Sequence, residues 1–501
     1  MKKRLLNRRQ FLVALSASTV GALYLTRQAF EQPVTSSPSS DHYVSKEGLL
    51  DVSLDARYRS VNLAGREARL YSYNGSLPGP RLEVKPGDTV RIRFTNNLPD
   101  PTNLHYHGLH VSPSENADNA FLEVPPGETF TYEFTIPQNH PAGTFWYHPH
   151  RHGLVAKQVF GGLSGLLIVR GELDDIPEIQ AAQEEFLVLK DFALGDDGHI
   201  QPPNRMERMM QGREGSLVTV NGSVNPNFSI PEGGLLRLRL LNASSSRFYR
   251  LMLQDHPLYL IATDGGALGE PVELKELLLT PGERAEVLIR GEREPGEYLL
   301  LNLPYDRSDM GMMGGGMMGG GMMGGGMMGR SRSTSPDRSA TLATLTYKDR
   351  VKSLPLPEQL IPVEALPEPQ KVRRFTLGHG MAPGQGMAFT INGKTFNSER
   401  IDTQVRLNTV EDWEIANEGM MMGFDHPFHL HTNAFQVISR NGKSESYRGW
   451  KDTVPVPPGD VVRIRIPFKD FPGKAVYHCH ILDHEDLGMM GVVKMQQLGQ
   501  S

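Results

Sequence analysis

The 501-residue sequence predicts an all-β protein made of three consecutive copies of one antiparallel sandwich, and two recurring patterns predict it. Three Asn-Gly turns, Asn74-Gly75, Asn221-Gly222 and Asn392-Gly393, open similar segments spaced 147 and 171 residues apart. Each leads into alternating apolar residues that read as strands. A second pattern closes each unit: a Pro-Gly-acid turn, an alternating strand, another Gly and a last strand. It begins at Pro126-Gly127-Glu128, Pro281-Gly282-Glu283 and Pro458-Gly459-Asp460 and ends with residues 143–150, 296–303 and 473–480. At roughly 100–200 residues per domain, the length supports the same count.

Along the chain, residues 1–30 come first. They carry Lys2, Lys3, Arg4, Arg8, Arg9 and Arg27 with no acid, and an apolar run from Phe11 to Leu25. The run is short for a membrane span, and Arg8-Arg9-Gln10-Phe11-Leu12 resembles a twin-arginine signal, which implies handling by the twin-arginine export machinery and a periplasmic or extracellular protein. An uncleaved anchor is the alternative. Removing the six positive charges of this segment takes the formal net charge from −5 to −11, so the mature surface attracts cations more readily than anions. The first unit spans 45–171 and the second 180–348. A Pro-rich linker, 349–370, has five prolines between 354 and 370 and reads as a stiff connector to the third unit, 371–498. Residues 89–94, 129–136, 235–240 and 461–466 show the period-2 alternation of half-buried strands, and helix signals are short, as at 154–160.

Composition narrows the function. Hydrophobic residues at 39% and charged residues at 22% describe an ordinary globular chain, and an isoelectric point near 6.4 argues against nucleic acid as a partner. The expected state is monomeric. One cysteine rules out an intramolecular disulfide. That cysteine stands beside 17 histidines and 22 methionines, the soft and borderline metal ligands.

Four short segments hold ten of the 17 histidines: His105 and His107; His148 and His150; His426, His429 and His431; His478, His480 and His484. Residues i and i+2 of a strand project to one face, so each His-x-His pair aims two imidazoles at one place. Two pairs fall at equivalent positions of the first and third units, where the second unit has Leu301, Asn302 and Leu303. Cys479, between His478 and His480, points to the opposite face and serves a different metal. His426, Cys479, His484 and Met489 then make the set of two nitrogens, one thiolate and one weak thioether expected of a blue-copper site. Zinc is the generic alternative, less suited to a single Cys with a Met.

These motifs closely resemble those of the multicopper oxidases in their three-domain form. Four motifs carry the resemblance: His105-Tyr106-His107-Gly108, Trp146-Tyr147-His148-Pro149-His150, the 426/429/431 triplet, and His478-Cys479-His480 followed by His484 and Met489. It covers residues 45–497 apart from the Met-Gly tract and implies three cupredoxin-like Greek-key β-sandwich domains with four copper ions. Carried over, it implies type 1 copper on His426, Cys479, His484 and Met489, and type 2 copper on His105 and His429. The type 3 pair is then held by His107, His148 and His480 on one ion and by His150, His431 and His478 on the other. This puts the cluster between the outer domains with the middle one as spacer. The implied reaction is four-electron reduction of O2 to water, with electrons from Cu(I) or from small phenolic or aromatic amine reductants.

That reaction consumes four protons, so acids are expected near the cluster. Asp118 lies about where the family keeps an acid for oxygen reduction, with Glu115 as competitor, and Glu485 follows a type 1 ligand as a relay. A solvated loop acid is the plain alternative for each. Residues 310–329 hold nine Met, including the pairs Met312-Met313, Met317-Met318, Met322-Met323 and Met327-Met328, at a five-residue period set by glycines. Thioethers prefer Cu(I), so this flexible loop reads as a capture segment, and a low-complexity linker is the alternative. Met420, Met421, Met422 and Asp425, just before His426, read as a docking site for the same ion, or the methionines as packing. Met381 and Met387 are weaker candidates. Such Met-rich insertions resemble those of bacterial cuprous oxidases involved in copper tolerance. Most of the other seven histidines, such as His42 and His199, are expected at the surface. Two rival functions remain: a copper-sequestering carrier with an idle oxidase site, and a ligand-less scaffold like cell-division relatives, which the complete ligand set disfavours.

Overall fold

A computed structural model describes residues 42–307, 339–382, 386–419 and 423–497. The expected export signal, the Met-Gly tract and Met420, Met421 and Met422 lie outside them, as do the side chains of Met381 and Met387.

The repeat governs the fold from its turns outward. In all three Asn-Gly turns both residues have positive φ, about 51–54° at Asn and 71–77° at Gly, the geometry that matches the twist of a hairpin. Each Asn side chain also accepts a backbone N–H from the strand paired with the one before the turn: Asp55, Val188 and Thr376 donate to Asn74, Asn221 and Asn392 at 2.8–2.9 Å. The Pro-Gly-acid turns repeat just as closely. The amides of Gly127, Gly282 and Gly459 donate to the carbonyls of Asn96, Asn242 and Asn417. Those three asparagines are buried, and each side-chain amide bridges two backbone carbonyls.

Between the turns run six sheets in three facing pairs. The first unit pairs a five-stranded sheet, with Gly143–His148 between Gly165–Val169 and His105–His107, against a four-stranded one around Leu49–Leu63 and Thr89–Asn97. Period-2 side chains from both faces, such as Leu54, Ile92, Phe94, Tyr132 and Leu167, fill the space between. The second unit has six- and five-stranded sheets and the third seven- and five-stranded sheets, each over its own core.

Several junctions hold the units together, two of them at a helix pair and at the Pro-rich segment. Helices Val155–Phe160 and Leu482–Asp486 meet through Val155, Ala156, Val159 and Leu482. The Asp486 carboxylate accepts the backbone N–H groups of Gly153, Val155 and Ala156 at the start of the first of these. The Pro-rich segment is more than a spacer. Leu360 is buried in the core of the second unit, and Arg465 and Gln436 of the third donate to its carbonyls at Leu366, Pro367 and Glu364.

Candidate metal centre

Register brings the histidines together. His105–His107 pairs antiparallel with Gly143–His148, setting His105 opposite His148, and His426–Leu430 pairs with Gly473–Cys479, setting His429 opposite His478. The equivalent pair in the middle unit sets Met252 opposite Leu301. The outer units then face each other, so that eight imidazoles from four strand ends converge and His105 stacks on His431, and His107 on His429, at 3.8 Å between ring centres. Ring nitrogens of three triads, His107/His148/His480, His150/His431/His478 and His105/His107/His429, each lie within 4.8 Å of one another.

Hydrogen bonds assign the tautomers. Nδ1–H of His105 donates to Asp118 (2.8 Å), and that of His429 to the Asp452 carbonyl (2.9 Å). Nδ1–H of His148 and His478 donates to the carbonyls of Pro149 and Cys479. Each therefore presents an Nε2 lone pair inward. His107 is reversed: its Nε2–H donates to Asp452 Oδ1 (3.0 Å), leaving Nδ1 facing His148 Nε2 at 3.5 Å. Nε2 of His478 lies 3.2 Å from Nε2 of both His150 and His431. Nε2 of His105 and His429 and both nitrogens of His480 have no hydrogen-bonding partner among the described residues. Burial and neighbouring imidazoles hold all eight rings below the usual histidine range, His150 to about 3 and His478 to about 4, so they are neutral donors. Buried lone pairs aimed at one another without donors are what a cation-binding site needs.

The other face of the same strand makes the second centre. Cys479 Sγ lies 3.4 Å from His426 Nδ1 and 3.9 Å from His484 Nδ1, and the two nitrogens are 3.3 Å apart. His484 Nε2–H donates to the Met210 carbonyl, which fixes Nδ1 as its inward atom. Met489 is buried in the same core, its amide bonded to the His484 carbonyl and its carbonyl to the Cys479 amide. Burial pushes the Cys479 thiol far above its ordinary range, so only a bound cation would keep it a thiolate. A thiolate with two Nδ1 donors and a thioether nearby fits copper.

The acids separate cleanly. Asp118 is buried against His105 and accepts the Tyr106 amide, and burial pushes its carboxyl up to about 7. Glu115 is exposed. Glu485 is buried with its oxygens 3.1 Å from His478 and 3.5 Å from His150, and is likewise pushed up to about 7. Asp425, 3% exposed, accepts the Tyr305 hydroxyl at 2.6 Å, and burial raises it to about 6.

Asp452 escaped the sequence reading. Burial opposes its ionisation, but the Arg284 guanidinium and His107 hold it well below the usual carboxylate range. No spacing or motif marked it, because its partners come from the other two units. The expectation for the remaining histidines also needs correction. His42 is exposed, but His140 and His256 are buried, and His110 joins units through Thr432 and Asp470.

Three family profiles, each described as multicopper oxidase, match residues 55–174, 183–313 and 367–498. The chain is 33% identical over 436 residues to the multicopper oxidase mco of Staphylococcus aureus, covering 86% of this chain and 85% of that one. It is 29% identical over 439 residues to the cell division protein FtsP of Proteus mirabilis, covering 86% of each. A solved multicopper oxidase from Campylobacter jejuni, titled a metallo-oxidase, superposes with a TM-score of 0.77 at 30% identity, covering 91% of this chain and 96% of that one. The profiles account for most of the chain and the sandwiches are of the cupredoxin type: the chain belongs to the multicopper oxidase family, an oxidoreductase family that uses copper.

Proposed function

We propose that the protein is an exported, monomeric oxidase that takes single electrons from Cu(I), and less selectively from phenols or aromatic amines, and uses four of them to reduce O2 to water, in the service of copper tolerance. One observation carries this reading. On a single strand, Cys479 faces His426 and His484 while its immediate neighbours His478 and His480 stand among the eight imidazoles. We assign type 1 copper to His426, Cys479, His484 and Met489, type 2 to His105 and His429, and the type 3 ions to the triads ending in His480 and His478. Copper in these positions supplies one-electron chemistry, four ions matching the four electrons that O2 requires.

The chain's own groups do the rest. His484 bonds outward to Met210, next to the helix Arg205–Met209, whose Met206 is 68% exposed, so a donor approaches there. Cys479 is covalently continuous with His478 and His480, the shortest path between the centres. Asp118 and Glu485, raised to about 7, hold protons beside the O2-reducing centre.

Cu(I) as substrate rests on soft donors near His426. The Met-Gly tract follows Arg307 closely in sequence, and the Arg307 carbonyl accepts the Asp425 amide at 3.2 Å, so the stem of the tract stands one residue from His426. The similar Campylobacter protein, a metallo-oxidase, points the same way. Oxygen uptake with Cu(I), compared with 2,6-dimethoxyphenol, tests the reading. Uptake with both supports it, whereas Cu(I) binding without O2 consumption would make the protein a carrier.

A further inference from the structure

The middle unit donates no imidazole, yet its closing turn presses on the O2-reducing centre. Gly127, Gly282 and Gly459 occupy one position of the repeat with φ of 82°, 86° and 80°. A methyl group added at Gly127 or Gly459 would meet nothing within 4 Å, but at Gly282 it would stand 2.9 Å from the His480 ring. Two residues further on, where the outer units have Thr129 and Val461, the middle unit has Arg284.

Arg284 is fully buried, and all five of its N–H donors are used. Nε donates to the Thr144 carbonyl, Nη1 to Gly282 and Nη2 to Asp264, and the two ends grip Asp452 at 2.8 and 2.6 Å. Asp452 in turn accepts Nε2–H of His107 on its carboxylate and Nδ1–H of His429 on its carbonyl. These are the two rings stacked at 3.8 Å, one from each outer unit. Gly108, directly after His107, leaves the room: a methyl there would lie 2.3 Å from Arg284 Nη2 and 2.6 Å from Asp452 Oδ2. One residue thus orients one ring from each outer unit, His107 through its carboxylate and His429 through its main-chain carbonyl, and an arginine of the middle unit fixes that carboxylate.

We propose that Arg284 and Asp452 are positioning residues of the O2-reducing centre, through which the middle unit sets the tautomer and orientation of His107 and, through the stacked pair, the placement of His429. The proposal rests on the copper reading above. A guanidinium is needed because only its planar fork reaches both carboxylate oxygens while anchoring to three carbonyls. Losing it leaves the carboxylate free to rotate away from His107, so that Nδ1 is no longer fixed as the inward atom.

The test uses the copper-loaded full chain carrying Arg284→Met, Arg284→Lys or Asp452→Asn, read by copper content, the type 2 electron paramagnetic resonance signal, the blue absorption and steady-state kinetics with 2,6-dimethoxyphenol. Arg284→Met and Asp452→Asn should keep the blue absorption, change the type 2 signal or lose copper, and lower kcat ~10–100-fold with KM for the phenol unchanged. Arg284→Lys should recover part of kcat. An unchanged type 2 signal, full copper content and kcat within twofold of the parent would overturn the proposal. So would joint loss of the blue absorption and cluster copper, which would mark a general packing role. A parent protein without a type 2 signal would instead refute the copper reading.

Discussion

At the scale of single residues, both centres depend on atoms that the sequence places on opposite faces of one strand. Cys479→Ser should abolish the blue absorption and the oxidation of every reductant while leaving the eight-imidazole centre loaded, as absorption and copper analysis would show. Asp118 and Glu485 give a pH dependence. A carboxyl raised to about 7 is protonated below that pH and empties above it, so turnover limited by proton delivery falls as pH rises through about 7. Asp118→Asn and Glu485→Gln should each lower kcat and flatten that limb of the profile, whereas a profile unmoved by both would remove them as donors. The histidines and Cys479 were legible because a two-residue period fixes direction whatever the tertiary context. Asp452 was not: a lone acid in Trp450-Lys451-Asp452-Thr453 acquires its partners only when three units meet.

At the scale of elements, the repeated turns make an internal control. Ala in place of Gly127 or Gly459 should cost about 1–2 kcal/mol, the price of a left-handed conformation with a side chain. Gly282→Ala carries the same backbone cost and also drives a methyl against His480, so denaturant midpoints should fall further and cluster copper should be lost only there. The buried asparagines at the ends of Thr89–Asn97, Leu235–Asn242 and Thr409–Asn417 are a second repeated device. Asn242→Ala strands two buried carbonyls, a loss of about 1–3 kcal/mol measurable in urea. The strands and the short helix at Val155–Phe160 fell close to their expected places because alternation and turn residues act locally. The packing of the Pro-rich segment onto the second unit was hidden, since nothing local distinguishes a prolyl spacer from a strap.

At the scale of the molecule, catalysis needs two units held in register and a third to hold them. The first and second units share a buried charge network in which Arg239 reaches Glu286, Glu184 and Asp174, and Thr144 of the first unit donates to Glu286. Arg239→Met should destabilise the protein by about 3–5 kcal/mol, because it leaves buried carboxylates short of a partner, and thermal unfolding would show it. The Met-Gly tract belongs to the same scale, as the proposed route of Cu(I) delivery. Deleting residues 310–329 should raise KM for Cu(I) and leave phenol oxidation unchanged. Equal Cu(I) kinetics in the deletion would leave the tract without that role.

Native mass spectrometry of the copper-reconstituted chain counts ions per polypeptide without assuming a substrate. Four copper ions are expected on the parent and three on Cys479→Ser. A parent chain that saturates below four, or that loses the whole set when Cys479 is replaced, would contradict two centres sharing one strand.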